Sequence, residues 1–238
     1  MSNGAKLHRC IDLQLSSLHQ LSSCQEWRIG YLKFTSEIAA NPNKPYKTVD
    51  EIHLESLLSI LSARGLITSP SDNAPDSLVG KGSLWNDAEI TELNLVWHRL
   101  NPWPDTCQGI AKFNKKFHTC TLSNGNVSLL KDMVAHAKMP FTHVFSAEMF
   151  QSYKPNAKVY LGGAEKMGLK PENCAMVAAH LDDLKFAKSN GLRTVYVARR
   201  GEESHPELLD EGIPDVWIKE GEDGFISVAK QLGISIGG

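Results

Sequence analysis

The sequence predicts an α/β fold with a parallel sheet and a separate helical subdomain. Residues 107–238 alternate short β-prone runs with helical patterns, the order expected of strands joined by crossover helices. Residues 174–179 form an uninterrupted apolar run, as a strand buried on both faces should. Residues 24–100 lack this alternation and carry helical spacing, so they predict an all-helical part before the α/β core.

The second half divides into elements at its turn residues. Ligands in parallel sheets bind beyond the carboxyl ends of the strands. Ser123, His180 and Asp183 all fall at such ends, and Lys154 lies on a loop at the same level. Strands are predicted at residues 117–122, 142–146, 174–179, 193–197 and 216–218. Helices are predicted at residues 127–137 and 157–167, and from Asp182 or Asp183 to residue 190. A final helix follows the last strand and ends at about residue 232.

The first half carries two helix-start signals. Thr48 with Glu51, and Asn86 with Glu89, have the spacing of a capping box. Gly65 is predicted to end the first of these helices, and residues 66–86 are predicted to form a loop. The prolines at 102 and 104 are predicted to end the last helix of this half. The predicted boundaries are therefore 1–23 for an N-terminal segment, 24–104 for the helical subdomain and 105–238 for the α/β core. One helical face carries the apolar residues Trp27, Tyr31, Phe34 and Ile38.

Composition excludes several classes of function. The 238 residues suit one domain with an inserted subdomain, and the net charge of −2, without a basic block, argues against nucleic-acid binding. No apolar run reaches the length of a membrane span, and the N-terminus lacks a signal pattern, so a cytoplasmic location is expected. Five scattered cysteines without a C-x-x-C pair argue against a disulfide scaffold or zinc site, and Cys120 and Cys174 are predicted as small buried strand residues.

Three motifs carry the chemistry of the second half. They are Ser123-Asn124-Gly125, Lys154-Pro155, and His180-Leu181-Asp182-Asp183. In this order and spacing they resemble the haloacid-dehalogenase superfamily, and most closely its 2-haloacid dehalogenases and their fungal relatives. Glu26-Trp27-Arg28-x-Gly30-Tyr31 and the Pro-Trp-Pro-Asp105 segment extend the resemblance over about residues 24–235. It implies a HAD-like Rossmannoid sheet, with the helical subdomain as a cap that closes over the active site.

The resemblance assigns roles to the motif residues of the core. Ser123 and Asn124 match residues that bind the substrate carboxylate, and a strand-to-helix transition also suits an anion. Lys154 matches the lysine that pairs with the nucleophile, although a single surface lysine is common. Asp183 matches the carboxylate that orients or activates water, and His180 stands where relatives have asparagine or histidine. Tyr160 is placed in the pocket, with a core tyrosine as the equal alternative.

The resemblance also assigns roles in the cap. Arg28 matches the arginine that receives the leaving halide; the alternative is a solvent-facing arginine on an amphipathic helix. Tyr31 and Trp97 are candidates to line the pocket, although most aromatics at helical spacing belong to a core. Asp182 is as well suited to capping a helix as to chemistry. Leu181 replaces a residue that is commonly polar in the family.

The family nucleophile is an aspartate in an Asp-x-(Phe/Tyr)-Gly-Thr motif, which does not occur in this sequence. Asp12 is the only N-terminal candidate, with Leu15 and Ser16 at the motif's glycine and threonine positions. Residues 11–15 fit a central strand poorly because Asp12 and Gln14 alternate with apolar residues. A helix fits slightly better, with Leu7, Ile11, Leu15 and Leu18 on one stripe. The first core strand is therefore predicted to be truncated or replaced.

Three functions follow as hypotheses. The first is a small-molecule enzyme repurposed to a non-hydrolytic step, such as a Diels–Alder-type cyclisation in secondary metabolism. The second is a 2-haloacid dehalogenase that uses Asp12 as its nucleophile. The third is a non-catalytic binding protein, or the product of an aberrant gene model. Glutamine at position 14 removes the second aspartate of the magnesium phosphatases, so no metal and no other cofactor is predicted. Related dehalogenases suggest a possible homodimer acting on a small molecule.

Overall fold

The computed structural model describes residues 20–41, 44–72, 74 and 76–235, with side chains from residue 26 onward. The described chain divides into two compact units. The first comprises residues 20–37 and Lys47–Trp97, and the second comprises Ile38–Tyr46 and residues 98–235. Asp12 and the predicted helical stripe of residues 7–18 lie outside the described residues.

The first unit is helical. Helix α1 (Gln20–Ala40) begins in it, and helices α2 (Val49–Ala63) and α3 (Asp87–Asn94) follow. Both predicted capping boxes are confirmed, with Thr48 capping α2 and Asn86 capping α3. Helix α3 is shorter than predicted, because the chain tightens into a 3₁₀ helix at Leu95–Arg99, where valine, tryptophan and histidine are weaker α-helix formers. No described helix is long and apolar enough to cross a membrane.

An aromatic cluster packs inside this unit. The His53 ring stacks on Trp97 at a centroid distance of 4.7 Å and lies 5.4 Å from Tyr31. Trp27 contacts Trp97 edge to face at 5.1 Å and donates its indole N–H to the His53 carbonyl at 2.8 Å. Aliphatic residues of α2 and α3, among them Leu57, complete the core. These contacts account for Trp27 and Tyr31 on the apolar face predicted for α1.

The second unit is an α/β core. Its parallel strands pair in two separate sheets, β1–β2 and β3–β4–β5. The bounds agree with the prediction within a few residues. Strand β1 begins later than predicted because the amide of Phe117 still closes the preceding helical turn on the Phe113 carbonyl. The elements are α4 (Thr106–Phe113), β1 (Cys120–Ser123), α5 (Val127–His136), β2 (His143–Ser146), α6 (Ala157–Lys166), β3 (Ala175–Ala178), α7 (Leu181–Ser189), β4 (Arg193–Val197), β5 (Val216–Ile218) and α8 (Phe225–Gln231).

Among the described residues, no strand connects β1 with β3, and this gap is called the interruption below. Among the described residues β1 pairs only with β2, and β3 pairs only with β4, so each has one unpaired edge. Strand β4 is buried from Thr194 to Val197, whereas all four residues of β1 are only half-buried. A parallel sheet normally buries its inner strands on both faces.

The prediction for the two strand cysteines was wrong. Cys120 and Cys174 were predicted to be buried in strands, but both are half-buried, and Cys174 lies just before β3 rather than within it. Cys120 opens β1, the strand with the unpaired edge. Burial, with a smaller effect of Cys174, still raises the pKa of the Cys120 thiol to about 11. The thiol is therefore protonated and unreactive at neutral pH.

An ion pair between side chains that are 11% and 13% exposed holds the two ends of the core together. Both guanidinium nitrogens of Arg199 donate to the Asp105 carboxylate at 2.7 Å, and the Phe225 amide donates to the same carboxylate at 2.7 Å. The guanidinium also lies 5.3 Å from the Trp103 ring centroid. Gly224, at φ 45°, lets the backbone approach, because a Cβ there would lie 2.3 Å from the carboxylate. This ion pair fixes the start of α8 against the chain segment that enters α4.

Replacing Asp105 by asparagine should lower the free energy of unfolding at pH 7 by about 3 kcal/mol, because Arg199, itself only 11% exposed, would lose its anion. Urea denaturation measures the change. Burial acts to raise the pKa of Asp105, but the hydrogen bonds from Arg199 and Phe225 and the guanidinium charge outweigh it and hold that pKa below its usual value. The stability that this ion pair contributes is therefore present above the pKa of Asp105 in the unfolded chain. It is lost as the pH falls through the pKa of Asp105 in the folded protein.

The difference between the two proteins should accordingly shrink in strong acid. Exposed Glu165→Gln is the control and should change the free energy by less than about 0.5 kcal/mol. An Asp105→Asn protein as stable as the parent would contradict the assigned role of the ion pair.

Candidate active site

A polar cluster lies at the carboxyl ends of β1 and β3. The Lys154 Nζ donates to one oxygen of Asp183 at 2.6 Å, and the Tyr160 hydroxyl donates to the other at 2.7 Å. The side chains of Lys154 and Asp183 are each 17% exposed, and Tyr160 is fully buried. A cation and a phenol donor thus hold both oxygens of one carboxylate in place.

Asn124 positions the lysine. It follows β1 directly, and its side-chain oxygen accepts the Lys154 amide at 2.7 Å while its side-chain nitrogen donates to the Lys154 carbonyl at 3.3 Å. This two-point contact fixes the backbone of the Lys154 loop against the end of β1. Lys154 then reaches Asp183, in the first turn of α7.

Ser123 is the last residue of β1. Its Oγ accepts the Gly125 amide at 3.2 Å, and its O–H has no acceptor among the described residues. The next turn is fixed by Ser146, whose hydroxyl donates to the Gly125 carbonyl at 2.6 Å. Ser123 can therefore donate its hydroxyl hydrogen to an anionic oxygen at this edge of the sheet.

Glu148 supports the helix that follows the Ser123–Asn124 turn, and the sequence did not reveal this role. Its carboxylate accepts the amide of Val127, the first residue of α5, at 2.6 Å. Asn126, at the N-cap position, makes no side-chain cap bond. The carboxylate therefore satisfies one of the free amides that open α5. The contact spans 21 residues, and no local pattern indicates it.

The start of α7 differs from the prediction. Asp182 or Asp183 was expected to cap this helix, but the N-cap position belongs to His180 and makes no side-chain cap bond. Glu203, from the loop after β4, accepts the Leu181 amide at 2.9 Å instead. Because a distant carboxylate supplies this acceptor, Asp183 is left to bind Lys154. Asp182 accepts the Asp183 amide at 2.8 Å.

Glu202, which precedes Glu203 in the chain, lies close to His180. The His180 Nε2 lies 3.4 Å from the Glu202 carboxylate, and the two side chains are 38% and 30% exposed. Neither glutamate was predicted as a site residue. In the sequence they are two adjacent glutamates after Arg199-Arg200-Gly201, and this pattern does not by itself indicate a functional site.

Burial, together with the charge and hydrogen bond of Asp183, raises the pKa of Tyr160 far above its usual value. The phenol is therefore a neutral hydrogen-bond donor throughout the physiological range.

The structure brings together Asn124, Lys154, Tyr160 and Asp183, with Ser123 adjacent in the chain and His180 on the same turn as Asp183. The cap candidates belong to the first unit. Tyr31 and Trp97 are half-buried in its aromatic cluster, and Arg28 is exposed on α1. Their substrate roles remain predictions. Asp12 lies outside the described residues.

Titration of Tyr160 tests the geometry of the cluster. Subtracting the ultraviolet titration curve of Tyr160→Phe from that of the parent protein isolates the ionisation of this phenol. The pKa obtained should lie well above the value of about 10 for a free tyrosine. In an Asp183→Asn background the same difference should move toward that value, because the carboxylate charge is lost. Asp182→Asn is the control and should move it little, since the influence of Asp182 comes last among the causes. Ionisation of Tyr160 near pH 10 in the folded parent would contradict the hydrogen bond.

Comparison with known proteins agrees with this architecture. A family model for haloacid dehalogenase-like hydrolases matches residues 34–191. The chain is 26% identical over 109 residues to (S)-2-haloacid dehalogenase 4A of Burkholderia cepacia, which covers 44% of this chain and 47% of that protein. It is 25% identical over 207 residues to enolase-phosphatase E1 of Synechococcus sp. (strain CC9902), which covers 82% of this chain and 76% of that protein. The chain thus spans about half the length of the dehalogenase that it matches.

Solved structures give longer matches. The crystal structure of L-2-haloacid dehalogenase PA0810 has a TM-score of 0.77 at 27% identity, over 94% of this chain and 89% of that one. The defluorinating L-2-haloacid dehalogenase Rha0230 has a TM-score of 0.74 at 26% identity, over 96% and 87%. The α/β fold is therefore that of haloacid dehalogenases, and because the family model matches well over half of its residues, this chain belongs to the haloacid dehalogenase-like hydrolases.

Proposed function

We propose that this protein hydrolyses small 2-halogenated carboxylic acids, replacing the halide by a hydroxyl group. The observation that supports this most is the Lys154–Asp183–Tyr160 cluster beside Ser123 and Asn124. The cluster lies where parallel sheets bind ligands. The similarity of the chain to proteins named 2-haloacid dehalogenases supports the same substrate class.

The donors of the cluster suit a small anion. In the proposed complex the Ser123 hydroxyl donates to the substrate carboxylate, and the Lys154 ammonium supplies the positive charge nearest to it. Asn124 acts through the lysine, because its side chain holds the Lys154 backbone. Asp183 fixes the direction of the ammonium group rather than binding an anion itself.

The cyclisation predicted from the missing motif is less well supported. Folding a large apolar substrate calls for an enlarged pocket lined by aromatic side chains. The described cluster instead presents a hydroxyl, an amide, an ammonium, a phenol and a carboxylate. Such a lining favours a small polar substrate, so cyclisation remains only a sequence-based hypothesis.

Lys154→Ala should lower kcat/KM for L-2-chloropropionate at least about 100-fold, because the anion site would lose its cation and Asp183 its partner. Halide release measures the rate. Lys158→Ala is the matched control, since Lys158 is an exposed lysine four residues along the chain, on α6. It should retain the parent rate.

Two results would overturn the proposal. One is a folded parent that releases no halide from the L or D acid. The other is equal loss of activity in the Lys154 and Lys158 variants. Phosphate release from p-nitrophenyl phosphate, assayed in parallel, would redirect the assignment to a phosphatase.

A further inference from the structure

The proposed anion site depends on where helix α7 begins. Asp183, whose carboxylate holds Lys154, is the third residue of this helix, so the backbone of the first turn sets the position of its side chain. The first amides of a helix have no acceptor within the helix itself. His180, at the N-cap position, makes no side-chain cap bond, so the turn lacks the usual local support.

Glu203 supplies an acceptor for this turn. One of its carboxylate oxygens accepts the amide of Leu181, the first residue of α7, at 2.9 Å, and the other accepts the amide of His205 at 2.7 Å. The second bond folds the loop after β4 back on the carboxylate and so restricts where that carboxylate lies. A negative charge is also favourable at the start of a helix. The start of α7 is therefore held by a contact that spans 22 residues of the chain.

Tyr196 of β4 interacts with the same carboxylate. Its side chain is buried in the core, and its ring centroid lies 4.7 Å from that of Trp217 of β5. Burial raises the pKa of Tyr196, and the charge and hydrogen bond of Glu203 raise it further. Because Tyr196 is part of the sheet, Glu203 connects the sheet with the turn that carries Asp183.

We propose that Glu203 is a positioning residue of the anion site. By accepting the Leu181 amide it holds the first turn of α7, and through Asp183 it fixes the direction of the Lys154 ammonium. The inference rests on the function proposed above, in which Lys154 supplies the positive charge for the substrate carboxylate. Glu203 acts through the helix and is not assigned a contact with the substrate.

Glu203→Gln tests the carboxylate with little change of size. A carboxylate accepts hydrogen bonds at both oxygens, whereas a glutamine side chain has one acceptor oxygen and one donor nitrogen. In this variant the amides of Leu181 and His205 would compete for a single oxygen. The matched control is Glu207→Gln, because Glu207 is an exposed glutamate that contacts the His205 ring at 2.8 Å and lies four residues along the chain.

Two tyrosines report the result without any need for halide release. Glu203 raises the pKa of Tyr196 directly, so Glu203→Gln should lower that pKa. Burial, then the charge and hydrogen bond of Asp183, and last the charge of Asp182 raise the pKa of Tyr160. Glu203 is not one of these causes, so a lower pKa of Tyr160 in Glu203→Gln reports that Asp183 has moved. Each ionisation is isolated by subtracting the ultraviolet titration curve of the same protein with that tyrosine replaced by phenylalanine.

The pKa of Tyr160 should fall toward that of a free tyrosine in Glu203→Gln and stay unchanged in Glu207→Gln. Glu203→Asp is the second variant if the glutamine protein does not fold. It keeps the charge but shortens the side chain by one methylene, and it should lower the pKa of Tyr160 in the same direction. An unchanged pKa of Tyr160 in a folded Glu203 variant would overturn the inference, whether or not the protein releases halide.

Steady-state kinetics separate positioning from stability. A misdirected lysine binds the substrate carboxylate less well, so Glu203→Gln should raise KM for L-2-chloropropionate about 5-fold, the effect of about one hydrogen bond. It should change kcat by less than about twofold. A merely structural role would reduce the amount of folded enzyme, which lowers the apparent kcat and leaves KM unchanged. That result would overturn the inference.

The Lys154→Ala background tests the route through the lysine. Glu203→Gln should raise KM there by less than about 1.5-fold, because the residue through which Glu203 acts is gone. An equal rise of KM in both backgrounds would overturn the inference and leave the dehalogenase function intact. A parent protein that releases no halide would overturn the dehalogenase function alone, and the titration of Tyr160 would still decide the role of Glu203.

Discussion

The ion pair between Lys154 and Asp183 joins two halves of a sheet that share no described backbone ladder. Strands β1 and β2 lie on one side of the interruption, and β3, β4 and β5 lie on the other. From the first side, Asn124 holds the Lys154 backbone, and from the second, Asp183 accepts the ammonium. Residues on both sides of the interruption therefore build the proposed anion site. Loss of this contact would remove one of the links between the elements that form the proposed anion site.

Helix α6 makes the same connection by packing. Its Tyr160 lies in the hydrophobic core with Met176 of β3 and Leu184 of α7, while its hydroxyl reaches Asp183. One turn later, a Cβ on Gly163 would lie 2.9 Å from the Leu122 side chain of β1, so glycine lets the helix approach without displacing that side chain. The helix contacts both parts of the sheet and carries the phenol into the polar cluster. Burying a charged pair costs desolvation energy, and the second hydrogen bond to Asp183 offsets part of that cost.

The sequence predicts what depends on local or periodic signals. The βα alternation gave the α/β core, and the spacing of Thr48 with Glu51 gave a capping box that the structure confirms. Because the carboxyl ends of parallel strands meet at one edge of a sheet, the sequence predicted that Lys154 and Asp183 lie near each other. Contacts over long sequence separations had no such signal. Glu148 and Glu203 reach helix starts 21 and 22 residues away, and the second of these contacts is why no aspartate caps α7. The burial of Cys120 was overestimated, since all four residues of β1 are only half-buried.

A double-mutant cycle between Lys154 and Asp183 tests the central claim most directly. Unfolding free energies of Lys154→Met, Asp183→Asn and the double variant give the coupling energy of the pair. The account predicts a coupling of at least about 1 kcal/mol, within the range of contacting residues. The exposed pair of Lys185 and Glu211, at 2.7 Å and 49% and 43% exposed, should give about 0.5 kcal/mol or less in the same assay. Additive effects of the two substitutions, with no more coupling than in this exposed pair, would contradict the claim that the Lys154–Asp183 contact joins the two halves of the sheet.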